Sequence, residues 1–153
     1  MRGLYRPNVA ALMVNGLGEL LICERRDFKN SWQFPQGGVD AGESPLEALH
    51  RELDEELGLE PDKYQILRQE AGYHYDFPHQ AKRWRKYIGQ EQTYFLCKML
   101  GTDADIRLDK HKPEFVRWKW INPEEFSYDW LPPFKHDVYR RVLRDFFSVG
   151  EDV

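Results

Sequence analysis

The stretch from Ser44 to Gly58 constrains this chain more than any other. Ser44 offers an N-cap oxygen, Pro45 suits the first helical position, Glu47 completes an S-x-x-E capping box, and Gly58 supplies a stop. The spacing predicts a helix over Pro45–Leu57. At about 100° per residue, Leu46, Leu49, Leu53 and Leu57 form one apolar stripe that should face a core. Glu52, Glu55 and Glu56 fall within about 100° of one another, on a face roughly 110° from that stripe. Glu47, His50 and Asp54 take the remaining, solvated side.

Three clustered carboxylates repel one another, and acid near a helix C-terminus also opposes the helix dipole. Two readings fit the cluster by itself: a solvated acidic face, or a site for a cation. Hard carboxylate oxygens select Mg²⁺ or Mn²⁺, ions that keep several waters and bridge to phosphate.

Around this helix the pattern alternates between strands and turns. Val9–Val14 and Glu19–Cys23, joined through Asn15-Gly16-Leu17-Gly18, read as a β-hairpin. Ser31–Phe34 is a short aromatic strand stopped by Pro35. Tyr64–Tyr75 and Thr93–Leu100 read as strands around a polar loop from Asp76 to Gln92, and Phe115–Ile121 as another strand. Phe134–Val149 reads as an amphipathic C-terminal helix with Val138, Val142, Phe146 and Val149 on one stripe. The expectation is an α+β domain, an α/β/α sandwich with a mixed sheet, spanning residues 1–153 without a linker.

The 153 residues are 41% hydrophobic and 31% charged, enough apolar material for one sizeable core and too much for disorder. A net charge of −4 excludes a generic polycation that coats duplex nucleic acid, while leaving room for a local basic groove. Cys23 and Cys97 sit in apolar runs without metal-ligand spacing, so buried free thiols are expected. His74, His79, His111 and His136 show no ligand spacing either. The apolar run at the N-terminus is too short to span a membrane and lacks a cleavage pattern, which predicts a soluble cytoplasmic protein.

From Gly37 to Leu59 the residues fit G-x5-E-x7-R-E-U-x-E-E-x-G-U (U aliphatic) at Gly37, Glu43, Arg51, Glu52, Leu53, Glu55, Glu56, Gly58 and Leu59. A chance match in a chain of this size is on the order of one in ten million from average residue usage. The pattern resembles the Nudix box. The resemblance implies Mg²⁺-dependent hydrolysis of a nucleoside diphosphate linked to another group. Two or more ions are implied, and Mn²⁺ or another divalent metal could substitute. Glu52, Glu55, Glu56 and the Gly37 carbonyl match metal ligands, Glu52 matches the usual general base, and Arg51 orients a carboxylate.

Tyr5-Arg6-Pro7-Asn8-Val9, Ser31–Gly38, Pro113-Glu114-Phe115 and Phe134–Val142 are in turn similar to the bacterial RNA pyrophosphohydrolases. Those enzymes shorten a 5′-triphosphate on RNA to a monophosphate, a step that opens mRNA decay. They are relatives of the dinucleoside polyphosphate hydrolases, so hydrolysis of diadenosine polyphosphates or nucleoside triphosphates is the alternative. A non-catalytic binding module of the same family could dispense with the carboxylates this chain retains. Glu114 matches a fourth, mobile acidic group and metal ligand. The resemblance also points to Arg6, Arg26, Ser31, Gln36, Tyr75, Gln90, Pro132, Phe134 and Lys135 as substrate contacts. Of these, Arg26 would stack on a base, with Phe134 or Pro132 as the opposite wall, and Lys135 would donate to a purine acceptor. A cation opening the last helix is unfavourable against the dipole, so Lys135 has little structural reason to be there.

Two features depart from the resembled pattern: a short segment over Pro78–Lys86, and Thr93 where a lysine is expected. Within that segment Lys82, Arg83, Arg85 and Lys86 surround Trp84. The cluster reads equally as a phosphate-and-base contact or as a solvated loop. Trp118 and Trp120 read as core and rim of a strand. No stable protein partner is implied; the partners are RNA 5′ ends or nucleotide polyphosphates.

Overall fold

A computed structural model describes residues 4–78 and 86–151. Seven strands among these residues form one sheet: β1 (Leu4–Val14), β2 (Leu20–Arg25), β3 (Trp32–Gln33), β4 (Gln36–Gly38), β5 (Tyr64–Asp76), β6 (Tyr87–Met99) and β7 (Phe115–Ile121). The main path runs β3-β2-β1-β6-β5, with β4 paired to β1 and β7 to β2. Only β1 and β6 are parallel, so the sheet is mixed. Helix α1 (Pro45–Leu57) covers one face and α2 (His136–Phe147) the other.

β1 explains the layering. Val9 to Met13 is buried throughout, the signature of a strand covered on both faces. Val9, Ala11 and Met13 pack toward Leu49, Leu53 and Leu57 of α1. Ala10 and Leu12 pack toward Val138, Val142 and Leu143 of α2. The expected α/β/α sandwich is therefore two half-cores fed by alternate residues of the same strands. Cys23 and Cys97 are buried free thiols in the α1 half.

The hairpin forms, but β1 and β2 pair only at Val14 and Leu20 beside the turn. Beyond it they part: β1 takes β4 at Asn8, Val9 and Ala10, while β2 takes β7. This split brings Gly37 and Gly38 to the middle of the sheet.

α1 has the predicted bounds, with the capping box formed and Gly58 in the left-handed region at φ 67°. Other expectations need correction. Leu46 is 42% exposed and lies outside the α1 half-core, while Glu56 is on the buried side of the helix. His50 is half-buried against the Tyr64 hydroxyl rather than solvated. β6 begins at Tyr87, well inside the stretch expected to be a polar loop; Gln90 and Gln92 are buried polar side chains with partners, which sequence polarity reads as solvent exposure. β4 was not foreseen, since its Gln-Gly-Gly sequence carries no strand signal. α2 starts at His136 after a 3-10 turn over Pro133–Lys135.

Candidate active site

The apolar stripe of α1 fixes its rotation, and that rotation aims the carboxylates. With Leu49, Leu53 and Leu57 in the core, Glu52 and Glu56 turn toward β4 and Glu55 stands at the rim. Glu56 is only 7% exposed, and burial together with the facing Glu52 carboxyl pushes its pKa well up. Glu52 is raised too, by burial, against the pull of Arg51. Glu56 Oε2 is buried without a hydrogen-bond partner.

Arg51 organises this acid. Its Nε and Nη2 donate to both Glu43 oxygens at 2.8 and 2.9 Å, Nη1 donates to Glu52 at 2.7 Å and Glu55 at 3.3 Å, and Nη2 reaches the Gly38 carbonyl at 2.8 Å. Glu43, bound by Arg51 and by the Asp40 N–H, is held down at about 2. Opposite α1 the glycines of β4 allow close approach. A Cβ at Gly37 would fall within the Glu52 carboxyl, and one at Gly38 within the Arg6 guanidinium.

A group of hard oxygens around a buried, unpartnered carboxylate oxygen suits a divalent cation, and the residues fit one. As the chain stands, no three acidic, His or Cys groups among the described residues are already gathered for a metal. Arg51 pairs with the Glu52 and Glu55 carboxylates, and the Glu52 carboxyl faces that of Glu56.

A second cleft, of about 620 Å³, adjoins the acidic one and shares Arg6, Gln36, Gly37, Glu56 and Glu114 with it. Its far end holds Tyr75, Gln90, Phe134 and Lys135. Lys135 is 8% exposed, beside the rings of Tyr75 and Phe134, with no carboxylate at ion-pair distance among the described residues. Burial, and then Arg25, bring its pKa down to about 8. Gln90 Nε2 donates to the Tyr75 hydroxyl at 2.6 Å, leaving Gln90 Oε1 buried and unpartnered. Beneath, Gln92 donates to Asn8 at 2.9 Å and Gln36 at 2.7 Å, and accepts from Tyr94 at 3.0 Å. This chain of amides fixes the floor.

The structure thus brings together Arg6, Gln36, Gly37, Glu52, Glu55, Glu56, Tyr75, Gln90, Glu114, Phe134 and Lys135. It leaves out three expected contacts. Arg26 is exposed and outside both clefts; the register shift between Glu24 and Arg25 turns Arg25 into the cleft instead, over the Phe28 ring. The Ser31 hydroxyl is spent on the Trp130 carbonyl at 3.2 Å. Pro132 caps the 3-10 turn away from the lining. Phe28, Asn8 and Gln92 were missed. An exposed aromatic in a polar turn, and amides inside otherwise apolar strands, were the available signals. Lys82, Arg83, Trp84 and Arg85 lie outside the described residues.

The NUDIX domain family matches residues 4–146. The chain belongs to the NUDIX family. Within it, proteins named RNA pyrophosphohydrolase from Erythrobacter litoralis and Helicobacter pylori are 42% and 43% identical, over 95% of this chain and 92% and 96% of theirs. Solved NUDIX-fold structures include a C. elegans Ap4A hydrolase, 20% identical with TM-score 0.61, covering 88% of this chain and 94% of its own. An E. coli dihydroneopterin triphosphate pyrophosphohydrolase is 16% identical with TM-score 0.67, covering 94% and 97%. At these identities the structures share the NUDIX fold, a mixed sheet between helices, and no more.

Proposed function

We propose that this NUDIX chain is a hydrolase of RNA 5′-triphosphates, cutting a phosphoanhydride by water attack to leave a 5′-monophosphate. The observation that carries the reading is the junction of two clefts: a carboxylate chamber that shares its lining with a pocket holding a buried lysine beside a pair of aromatic rings. The first suits a polyphosphate and the second a base of the attached nucleotide chain. The likeness at about 42% identity to proteins named RNA pyrophosphohydrolase supports the same substrate.

Glu52, Glu55, Glu56, Glu114 and the Gly37 carbonyl would hold one or more divalent ions, Mg²⁺ first among them, which when bound would neutralise phosphate charge and acidify water. Arg51 keeps the Glu52 carboxylate aimed, and Glu52 orients the attacking water and takes its proton. Arg6, over Gly38 and lining both clefts, binds the phosphates. Lys135 donates to a base acceptor beside the Phe134 and Tyr75 rings. The reading treats residues 1–153 as one domain and places the reaction in the cytoplasm. No described helix is long and apolar enough to cross a membrane.

The test compares turnover of triphosphorylated RNA, diadenosine tetraphosphate and GTP at equal concentration with Mg²⁺. RNA should be preferred. Lys135→Ala should cost about 1–3 kcal/mol in kcat/KM on RNA, the worth of a good base contact, and little on GTP. Faster turnover of diadenosine tetraphosphate would replace this reading with dinucleoside polyphosphate hydrolysis. Equal losses on RNA and GTP would assign Lys135 to the phosphates or the fold.

A further inference from the structure

Glu114 reaches the acidic cleft from a loop whose attachment to α1 uses residues that the reaction above leaves idle. Asp54 belongs to the flank of α1 outside that cleft. Its Oδ1 accepts from Lys110 Nζ at 2.6 Å, and its Oδ2 lies 3.2 Å from His111 Nε2. Just before, the Arg107 N–H donates to the Leu57 carbonyl at 2.7 Å. The loop also rests on the end of the helix, where a Cβ at Gly58 would come within 3.0 Å of Arg107.

On the far side the sheet takes over. The Arg26 N–H donates to the Glu114 carbonyl at 3.0 Å, and Phe115 pairs with Arg25. Only Lys112 and Pro113 separate the two anchorages, and proline restricts one of the torsions left. The Glu114 backbone is thus bracketed by a helix anchorage on one side and a sheet anchorage on the other. Both His111 and Lys112 then line the cleft with Glu114.

We infer that Asp54 is a positioning residue for Glu114, holding Lys110 and His111 so that the loop carries the Glu114 carboxylate to the Glu52–Glu56 pair. The negative field of Glu114 is already felt at Glu56. The inference rests on the proposed hydrolytic use of that cleft. An exposed ion pair does little for global stability, so a role confined to folding would leave turnover unchanged.

A double-mutant cycle separates the two roles. Asp54→Ala should lower kcat about three- to tenfold, the population shift that an exposed ion pair to Lys110 and a hydrogen bond to His111 can supply, with KM and melting temperature nearly unchanged. In a Glu114→Gln background it should cause no further loss. Hydrogen exchange of the metal-free protein should quicken over residues 107–114 and stay constant over α1. Lys110→Ala combined with His111→Ala should reproduce each result from the loop side, should Asp54→Ala fold poorly. Losses that multiply in the double variant, normal kcat in Asp54→Ala, or unchanged exchange in the loop would each overturn the inference. If the wild-type chain cleaves diadenosine tetraphosphate and not RNA, the substrate reading fails and the cycle is run on that compound. A wild-type chain active on neither overturns both.

Discussion

Gly37 and Glu52 occupy one space: the carboxyl group of Glu52 fills the volume that a side chain at position 37 would need. The sheet supplies a backbone without a Cβ, and the helix supplies a carboxylate that packs directly onto that bare Cα. Gly37→Ala should therefore displace Glu52. Overpacking of this kind costs about 1–3 kcal/mol of stability. Turnover should fall further than stability does, by more than about tenfold, as happens when a reacting group is moved by an ångström. Steady-state kinetics beside a urea melt would check this; full activity at reduced stability would deny Glu52 its role.

Glu55 gives a cleaner probe of the carboxylate group. It stands at the rim, half exposed, and Arg51 keeps Glu43 and Glu52 as partners when Glu55 is neutralised. Glu55→Gln should leave stability within about 0.5 kcal/mol, as for surface changes generally. Activity with Mg²⁺ should drop by at least about two orders of magnitude, the scale of a lost catalytic electrostatic contact. Near-wild-type hydrolysis would remove Glu55 from the site.

Lys135 should mark the pH dependence of stability. Its folded pKa of about 8 lies below its ordinary value of 10.5, so between those values the unfolded chain holds more protons and stability rises with pH. Below pH 8 the full penalty of a buried charge applies. Lys135→Met should stabilise the protein near neutrality and flatten the rise. Urea unfolding at pH 7.5, 8.5 and 9.5 in both proteins measures the difference, which should shrink as pH climbs; a constant difference would contradict it.

Glu24 works in the opposite direction at acid pH. It is buried, accepts from Arg117 at 2.7 and 2.9 Å and from the Asn30 N–H at 2.8 Å, and its pKa is held down to about 2. The stability it contributes is complete above its ordinary value of 4.5 and is lost as pH falls toward 2. Glu24→Gln should lower the melting temperature at pH 6 and converge with wild type near pH 2. The turn that carries Phe28 should loosen with it, read as faster exchange at residues 26–31.

What the sequence determined by itself was local chemistry. Ser44, Pro45, Glu47 and Gly58 set the bounds of α1 because each acts within one turn of its own position, and the period of its leucines fixed which face the acid would share. The same locality let β7 be read residue for residue. The tertiary structure decided the rest, because it depends on separations the sequence does not print. Leu46 follows the apolar period yet stays 42% exposed, outside the core that its period points to. Gln90 and Gln92 looked solvated until Tyr75, Asn8 and Gln36 were brought beside them. One irregular step after Glu24 chose Arg25 over Arg26 for the cleft, and the cation that the α2 dipole disfavours was buried beside the rings of Tyr75 and Phe134. Asp54 met Lys110 across 56 residues of chain. A helix is written in its own residues, whereas a site is written in the distances between elements, and only packing sets those.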